Sequence, residues 1–128
     1  MKKKYNESSE DYLEAILMLS KKLPVVRSVD IATELDFKKP SVSVAMKNLR
    51  EKGHITVTDA GYIYLTDSGK EIAEMIYERH DVLTHYLISL GVPEDIAAED
   101  ACKIEHIISK ESFQAIKYTY KKNPKRYS

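Results

Sequence analysis

Residues 28 to 66 read SVDIATELDFKKPSVSVAMKNLREKGHITVTDAGYIYLT, and a change of period inside this stretch decides the fold. Ile31, Ala32 and Leu35 recur at i, i+1 and i+4, which predicts a short helix opening at Ser28. Asp36 to Lys39 reads as a polar turn. Pro40 then suits the first position of a further helix, where its missing N–H costs nothing. Val42, Ala45, Met46 and Leu49 fall at i, i+3, i+4 and i+7 and give that helix one core face, and Gly53 ends it. The period then becomes two. Residues 55 to 58 and 62 to 65 alternate around Asp59-Ala60-Gly61, which predicts a β-hairpin with the glycine supplying a positive φ.

Outward from this stretch the chain reads as helix. Ser8 or Ser9 can cap a first helix with Glu10 and Asp11 in its first turn and Leu13, Ile16 and Leu17 as its stripe; Leu23-Pro24 stops it. Ser68 with Glu71 forms a capping-box pattern for a long fourth helix running to about Leu90. Its apolar positions cover more than one face, as in a linker or dimer helix. Pro93 starts a fifth helix through about Ile108, and Ser109 or Ser112 opens a sixth carrying Phe113, Ile116 and Tyr120. The expected fold is mainly α. A winged helix-turn-helix with a small β-hairpin wing, residues 1–70, precedes an all-α dimerisation and metal-binding domain, residues 71–120, and a basic tail over 121–128 is expected to fray.

The 20 basic and 20 acidic residues among 128 cancel, so any surface for nucleic acid must be local. Residues 1 to 70 carry 12 basic against 10 acidic side chains, residues 71 to 120 carry 4 against 10, and the last eight residues carry 4 against none. The lone cysteine, Cys102, cannot form an intrachain disulfide, and no apolar run reaches the length of a membrane span. A cytoplasmic chain with no membrane partner is expected.

In a winged helix-turn-helix the helix after the turn enters the major groove, which is about 12 Å wide and accepts one helix with its side chains. The face of the third helix opposite its core holds Ser41, Ser43, Val44, Lys47 and Arg50. Small hydroxyls let the backbone approach the bases, Val44 can meet a thymine methyl, and the cations reach phosphates. Lys38, Lys39 and Pro40 stand at the helix entrance, where free N–H groups favour a phosphate, and Arg27 and the wing tip around Asp59 to Tyr62 are further candidates for backbone contact.

A second chemistry sits at Cys102, Glu105 and His106. At i, i+3 and i+4 they point a thiol, a carboxylate and an imidazole the same way along a helix, suitable for one cation. Asp11 and Glu14 repeat the i, i+3 spacing on the first helix, and His80 lies in the middle of the fourth. Each group also has an ordinary reading. A buried cysteine is commonly a small hydrophobe, and an acid in a first turn complements the helix dipole.

SEDYLEAI at 9 to 16, the winged-helix segment, ERHD at 78 to 81 and DACKIEHIIS at 100 to 109 together resemble the diphtheria toxin repressor family of metal-dependent transcriptional repressors, including its manganese transport regulator branch. The resemblance covers residues 8 to about 120. It implies a homodimeric repressor that binds a palindromic double-stranded DNA operator once a divalent metal is bound, with metal ligands at Asp11, Glu14, His80, Cys102, Glu105 and His106. Cys102 matches the iron branch, where the manganese branch carries Glu. Asp11 with Glu14 matches the manganese branch instead. Thr84 and Ala98 stand where the iron branch places an acid and a histidine of an accessory site, so an ordinary accessory site is not expected. A thiolate among nitrogen and oxygen donors tilts the expected ion towards Fe(II), with Mn(II) next.

Two other classes stay open in the sequence. One is a winged-helix regulator with an organic effector or none, the Cys/Glu/His cluster being structural. The other is an enzyme with Cys102 as nucleophile and His106 as base, against which stands the absence of a phosphate loop or an oxyanion device. The main expectation is a protein that is not an enzyme and has no organic substrate.

Overall fold

A computed structural model describes residues 8–122. Its elements run α1 (Ser9–Ser20), α2 (Ser28–Leu35), α3 (Lys39–Glu51), β1 (Ile55–Val57), β2 (Ile63–Leu65), α4 (Asp67–Ser89), α5 (Glu94–Ile104) and α6 (Lys110–Lys122). Two compact units divide the chain inside α4, one ending at Met75 and the other beginning at Ile76.

In the first unit α1 is the central element. Ser8 caps it, its hydroxyl accepting from the Asp11 amide at 3.1 Å. Tyr12, Leu13, Ala15, Ile16, Leu17 and Leu19 are all buried, more than a one-stripe reading predicts, because α1 contacts α2, α3 and β2. It ends at Ser20, three residues before Leu23. The capping of α2 is local: the Arg27 amide donates to Asp30 Oδ2 at 2.8 Å, and Asp36 closes the helix with φ of 57°, a left-handed conformation that Asp tolerates. Val42, Met46 and Leu49 bury the inner face of α3.

The wing is an antiparallel pair with Ile55 opposite Leu65, Thr56 opposite Tyr64 and Val57 opposite Ile63. Its turn is closed by Gly61 N to Thr58 O at 2.9 Å, with Gly61 at φ of 84°. A contact absent from the sequence reading extends it: the Ile63 amide donates to Val26 O at 2.8 Å, tying the α1–α2 connection to β2.

Ser68 does not cap α4. The helix begins at Asp67, Thr66 Oγ1 accepts from the Gly69 amide at 3.3 Å, and Ser68 Oγ instead reaches the Gly53 carbonyl at 3.3 Å and His54 Nδ1 at 3.0 Å. Gly69 lies against the His54 carbonyl so closely that a Cβ would overlap that oxygen.

The second unit packs Val82, Leu83, Ala101 and Phe113 together, with Ile104, Ile108, Ile116 and Tyr120 partly buried around them. Here α5 stops at Ile104, before the expected Ile108. Ser109 already caps α6, its hydroxyl accepting from the Ser112 amide at 3.0 Å, and Arg79 of α4 takes the carbonyls of Glu105 and Ile108. At the other end α6 continues through Lys122, so Lys121 and Lys122 belong to a helix and not to a frayed tail. The remainder of that tail, 123–128, lies outside the described residues. Among the described residues no helix is long and apolar enough to cross a membrane.

Candidate functional site

The second unit gathers donors of three chemical kinds. His80 comes from α4, Cys102 from the last turn of α5, and Glu105 is the C-cap of α5, still helical at φ −58° and ψ −24°. That backbone keeps Glu105 at i+3 from Cys102 in helical register, so both side chains face α4. His80 Nδ1 lies 3.1 Å from Glu105 Oε2 and 3.8 Å from Cys102 Sγ. One donor atom from each of the three lies within 4.8 Å of the others. Bonds of about 2.0–2.3 Å at tetrahedral to octahedral angles separate neighbouring donors by about 3–4 Å, so a divalent transition ion fits this set with little rearrangement.

His106 leaves the helical face on which its i+4 spacing placed it. Its amide bonds Lys103 O at 3.4 Å, a tightened turn, and its Nε2 lies 3.5 Å from Glu105 Oε1. Glu105 is therefore the hub, with an imidazole against each carboxylate oxygen and no exposed surface. Cys102 is 5% exposed. The ring nitrogen of His80 lies against its thiol.

Asp11 and Glu14 belong to α1 in the first unit and are 0% and 1% exposed. Two acids buried at i, i+3 on a helix that otherwise buries apolar side chains have no packing reason to be there. His85 has the same chemistry as His80 but half-exposed surroundings, 3.3 Å from its own helix neighbour Asp81. Thr84 and Ala98 are both buried.

Every residue singled out for the other chemistry is exposed: Arg27, Lys38, Lys39, Pro40, Ser41, Ser43, Val44, Lys47 and Arg50. Val44 is 61% exposed, which a β-branched apolar side chain on a helix surface does not need for folding. Ser28, Ser43, Lys47 and Arg50, with Met46 and Val57, line a cleft of about 200 Å³ between α2, α3 and β1. Arg27 is fixed against the wing, its Nη2 3.2 Å from Tyr62 Oη and its guanidinium carbon 4.9 Å from the ring centre. Ser28 and the exposed Asn48 were missed in the sequence. Asn48 was legible from the outward face of α3, whereas Ser28 required the tertiary fold.

Two family models match the chain. Residues 4–61 match the iron dependent repressor N-terminal DNA binding domain, and residues 66–126 match the iron dependent repressor metal binding and dimerisation domain. The transcriptional regulator MntR of Escherichia coli O157:H7 is 33% identical over 111 residues, covering 87% of this chain and 72% of the relative. An uncharacterised HTH-type transcriptional regulator of Methanocaldococcus jannaschii is 32% identical over 114 residues, covering 88% and 91%. A solved structure described as a manganese-dependent transcriptional repressor in complex with manganese superposes with a TM-score of 0.77 at 25% identity, covering 88% of this chain. This chain spans 52% of the length of that solved one.

Proposed function

The chain belongs to the iron-dependent repressor family, and from that premise we propose that it is a cytoplasmic transcriptional repressor whose binding to DNA is gated by a divalent transition metal held at His80, Cys102, Glu105 and His106. The observation that carries the reading is the His80, Cys102 and Glu105 cluster, three donor types from two helices brought within 4.8 Å in a largely buried place. The acidic balance of residues 71 to 120, 10 against 4, favours accumulation of cations around it.

The resemblance adds Asp11 and Glu14 of α1 to the ligand set. On that reading an ion drawing on both units favours one arrangement of them, so metal and DNA become reciprocally coupled ligands. When bound, a cation would supply the positive charge that offsets the mutual repulsion of the acids around it. The protein's own residues do the rest. His80 and His106 hold Glu105 in place, Lys38, Lys39, Lys47, Arg50 and Arg27 engage phosphates, Pro40 opens the helix at its phosphate-facing end, and Ser41, Ser43 and Val44 meet base edges. A homodimer through residues 71–120 presents two α3 helices to half-sites related by the same twofold axis, which makes the operator palindromic.

Cys102 tilts the ion towards Fe(II), because a thiolate is softer than a carboxylate; Mn(II) is next, in keeping with the manganese-dependent structural relative. Selection of duplexes from a random-sequence library, run anaerobically with Fe(II), with Mn(II) and with chelator, tests the reading. A palindrome enriched with metal and absent with chelator is the expected result. The same enrichment with chelator would overturn it.

A further inference from the structure

Arg79 and His80 are consecutive on α4, and they grip one residue by its two ends. His80 Nδ1 lies 3.1 Å from the Glu105 carboxylate, while Arg79 Nη1 donates to the Glu105 carbonyl and to the Ile108 carbonyl, each at 3.1 Å. The guanidinium also rests 5.5 Å from the ring centre of Phe113, a buried residue of α6.

The last carbonyls of a helix have no intrahelical donor and carry the negative end of its dipole, so a cation there satisfies and orients them together. A single guanidinium nitrogen bridging residues 105 and 108 closes the turn that carries His106 and fixes the backbone from which the Glu105 carboxylate projects. Lysine cannot reproduce this with a planar fork that also stacks on an aromatic ring.

We propose that Arg79 is a positioning residue of the metal cluster, preorganising Glu105 and His106 for a divalent cation by clamping the backbone between them. The proposal rests on the metal reading above. Its sign separates it from electrostatics: a guanidinium beside a cation site repels the incoming ion, so through space alone the loss of Arg79 would strengthen metal binding. Positioning predicts the reverse. Partners that orient metal ligands in this way are worth roughly 10- to 100-fold in metal affinity.

The test titrates Co(II) into wild-type protein and the Arg79→Gln, Arg79→Lys and Cys102→Ser variants, reading the thiolate-to-cobalt charge-transfer band, the d–d bands and the melting temperature of each metal-free protein. Wild type is expected to show a charge-transfer band that Cys102→Ser abolishes; no such band in the wild type overturns the metal reading itself. Arg79→Gln is expected to weaken Co(II) binding about 10- to 100-fold and to change the d–d bands, with Arg79→Lys recovering part of the affinity. Wild-type or tighter affinity with unchanged d–d bands in Arg79→Gln would overturn the positioning role while leaving the metal reading intact. A lower melting temperature alone, with affinity and spectrum preserved, would do the same by showing a purely structural role. If Arg79→Gln does not fold, Arg79→Lys decides: weakened binding at the wild-type melting temperature supports the proposal, and unchanged binding overturns it.

Discussion

Replacing Glu105 by Gln changes the hub of the cluster with little change of volume, so its effect isolates the charge. Glu105 has no exposed surface, and its two carboxylate oxygens lie 3.1 Å from His80 Nδ1 and 3.5 Å from His106 Nε2. At a free ion concentration one hundred times its dissociation constant, an ion that binds only the folded state stabilises the wild type by about 2.7 kcal/mol. For a chain of this size each kcal/mol moves the melting temperature by about 3–5 °C, so the ion should raise it by about 8–14 °C. Loss of one charged donor removes about 1.5–3 kcal/mol of binding, a weakening of roughly 10- to 150-fold. At the same free ion the Glu105→Gln protein then gains only about 0.3–1.4 kcal/mol, a shift of about half the wild-type one or less. The assay is thermal unfolding by circular dichroism with and without Co(II), Mn(II) or anaerobic Fe(II) at buffered free ion. His85→Ala is the control, since His85 is half exposed and pairs with Asp81 outside the cluster. A full metal-dependent shift in Glu105→Gln would refute the assignment of Glu105 as a ligand, and loss of the shift in His85→Ala would refute the placement of the site.

On the DNA side, Lys47→Ala or Arg50→Ala should weaken binding to every duplex and lower the salt slope by about 1, while Ser43→Ala or Val44→Ala should change sequence preference; filter binding across salt concentrations with selected and scrambled duplexes checks both. Cys102→Glu replaces a thiolate by a carboxylate and should move activation of DNA binding from Fe(II) towards Mn(II), read by titrating each ion in the same binding assay. Gly69→Ala should cost about 1–3 kcal/mol in urea unfolding, because its Cβ would overlap the His54 carbonyl oxygen and force the start of α4 away from the α3–β1 turn.

What could be read from the chain depended on how far each signal reached. The α3 helix and the wing were legible because Val42, Met46 and Leu49 and then Ile55, Val57, Ile63 and Leu65 write the change from helical to twofold period in local sequence. The near-complete burial of α1 was not legible, since it follows from three neighbours arriving from later in the chain. The end of α5 was misread for a related reason. Ile104, Ile107 and Ile108 continue an apolar pattern, yet the stop comes from Ser109 capping the next helix and from Arg79 on α4, twenty-six residues upstream of Glu105. Ser68 and Glu71 satisfy the spacing of a capping box, but the Gly53 carbonyl and His54 compete for the serine hydroxyl and Thr66 takes the cap. Within the cluster, spacing alone paired Cys102 with Glu105. His80 was singled out by its place in α4 and by the ERHD motif, while its closeness to Cys102 and Glu105 comes from the packing of α4 against the end of α5.

The central claim is that the ion bound at this cluster controls DNA binding, and the most direct measurement is the affinity of wild type and His106→Ala for one selected duplex across buffered free metal, with circular dichroism confirming that both are folded. The account predicts wild-type affinity rising about 5- to 150-fold with the ion, the usual range for coupled sites, and a flat response in His106→Ala. Wild-type affinity that is the same with chelator as with saturating metal, or a full metal response in His106→Ala, would contradict it.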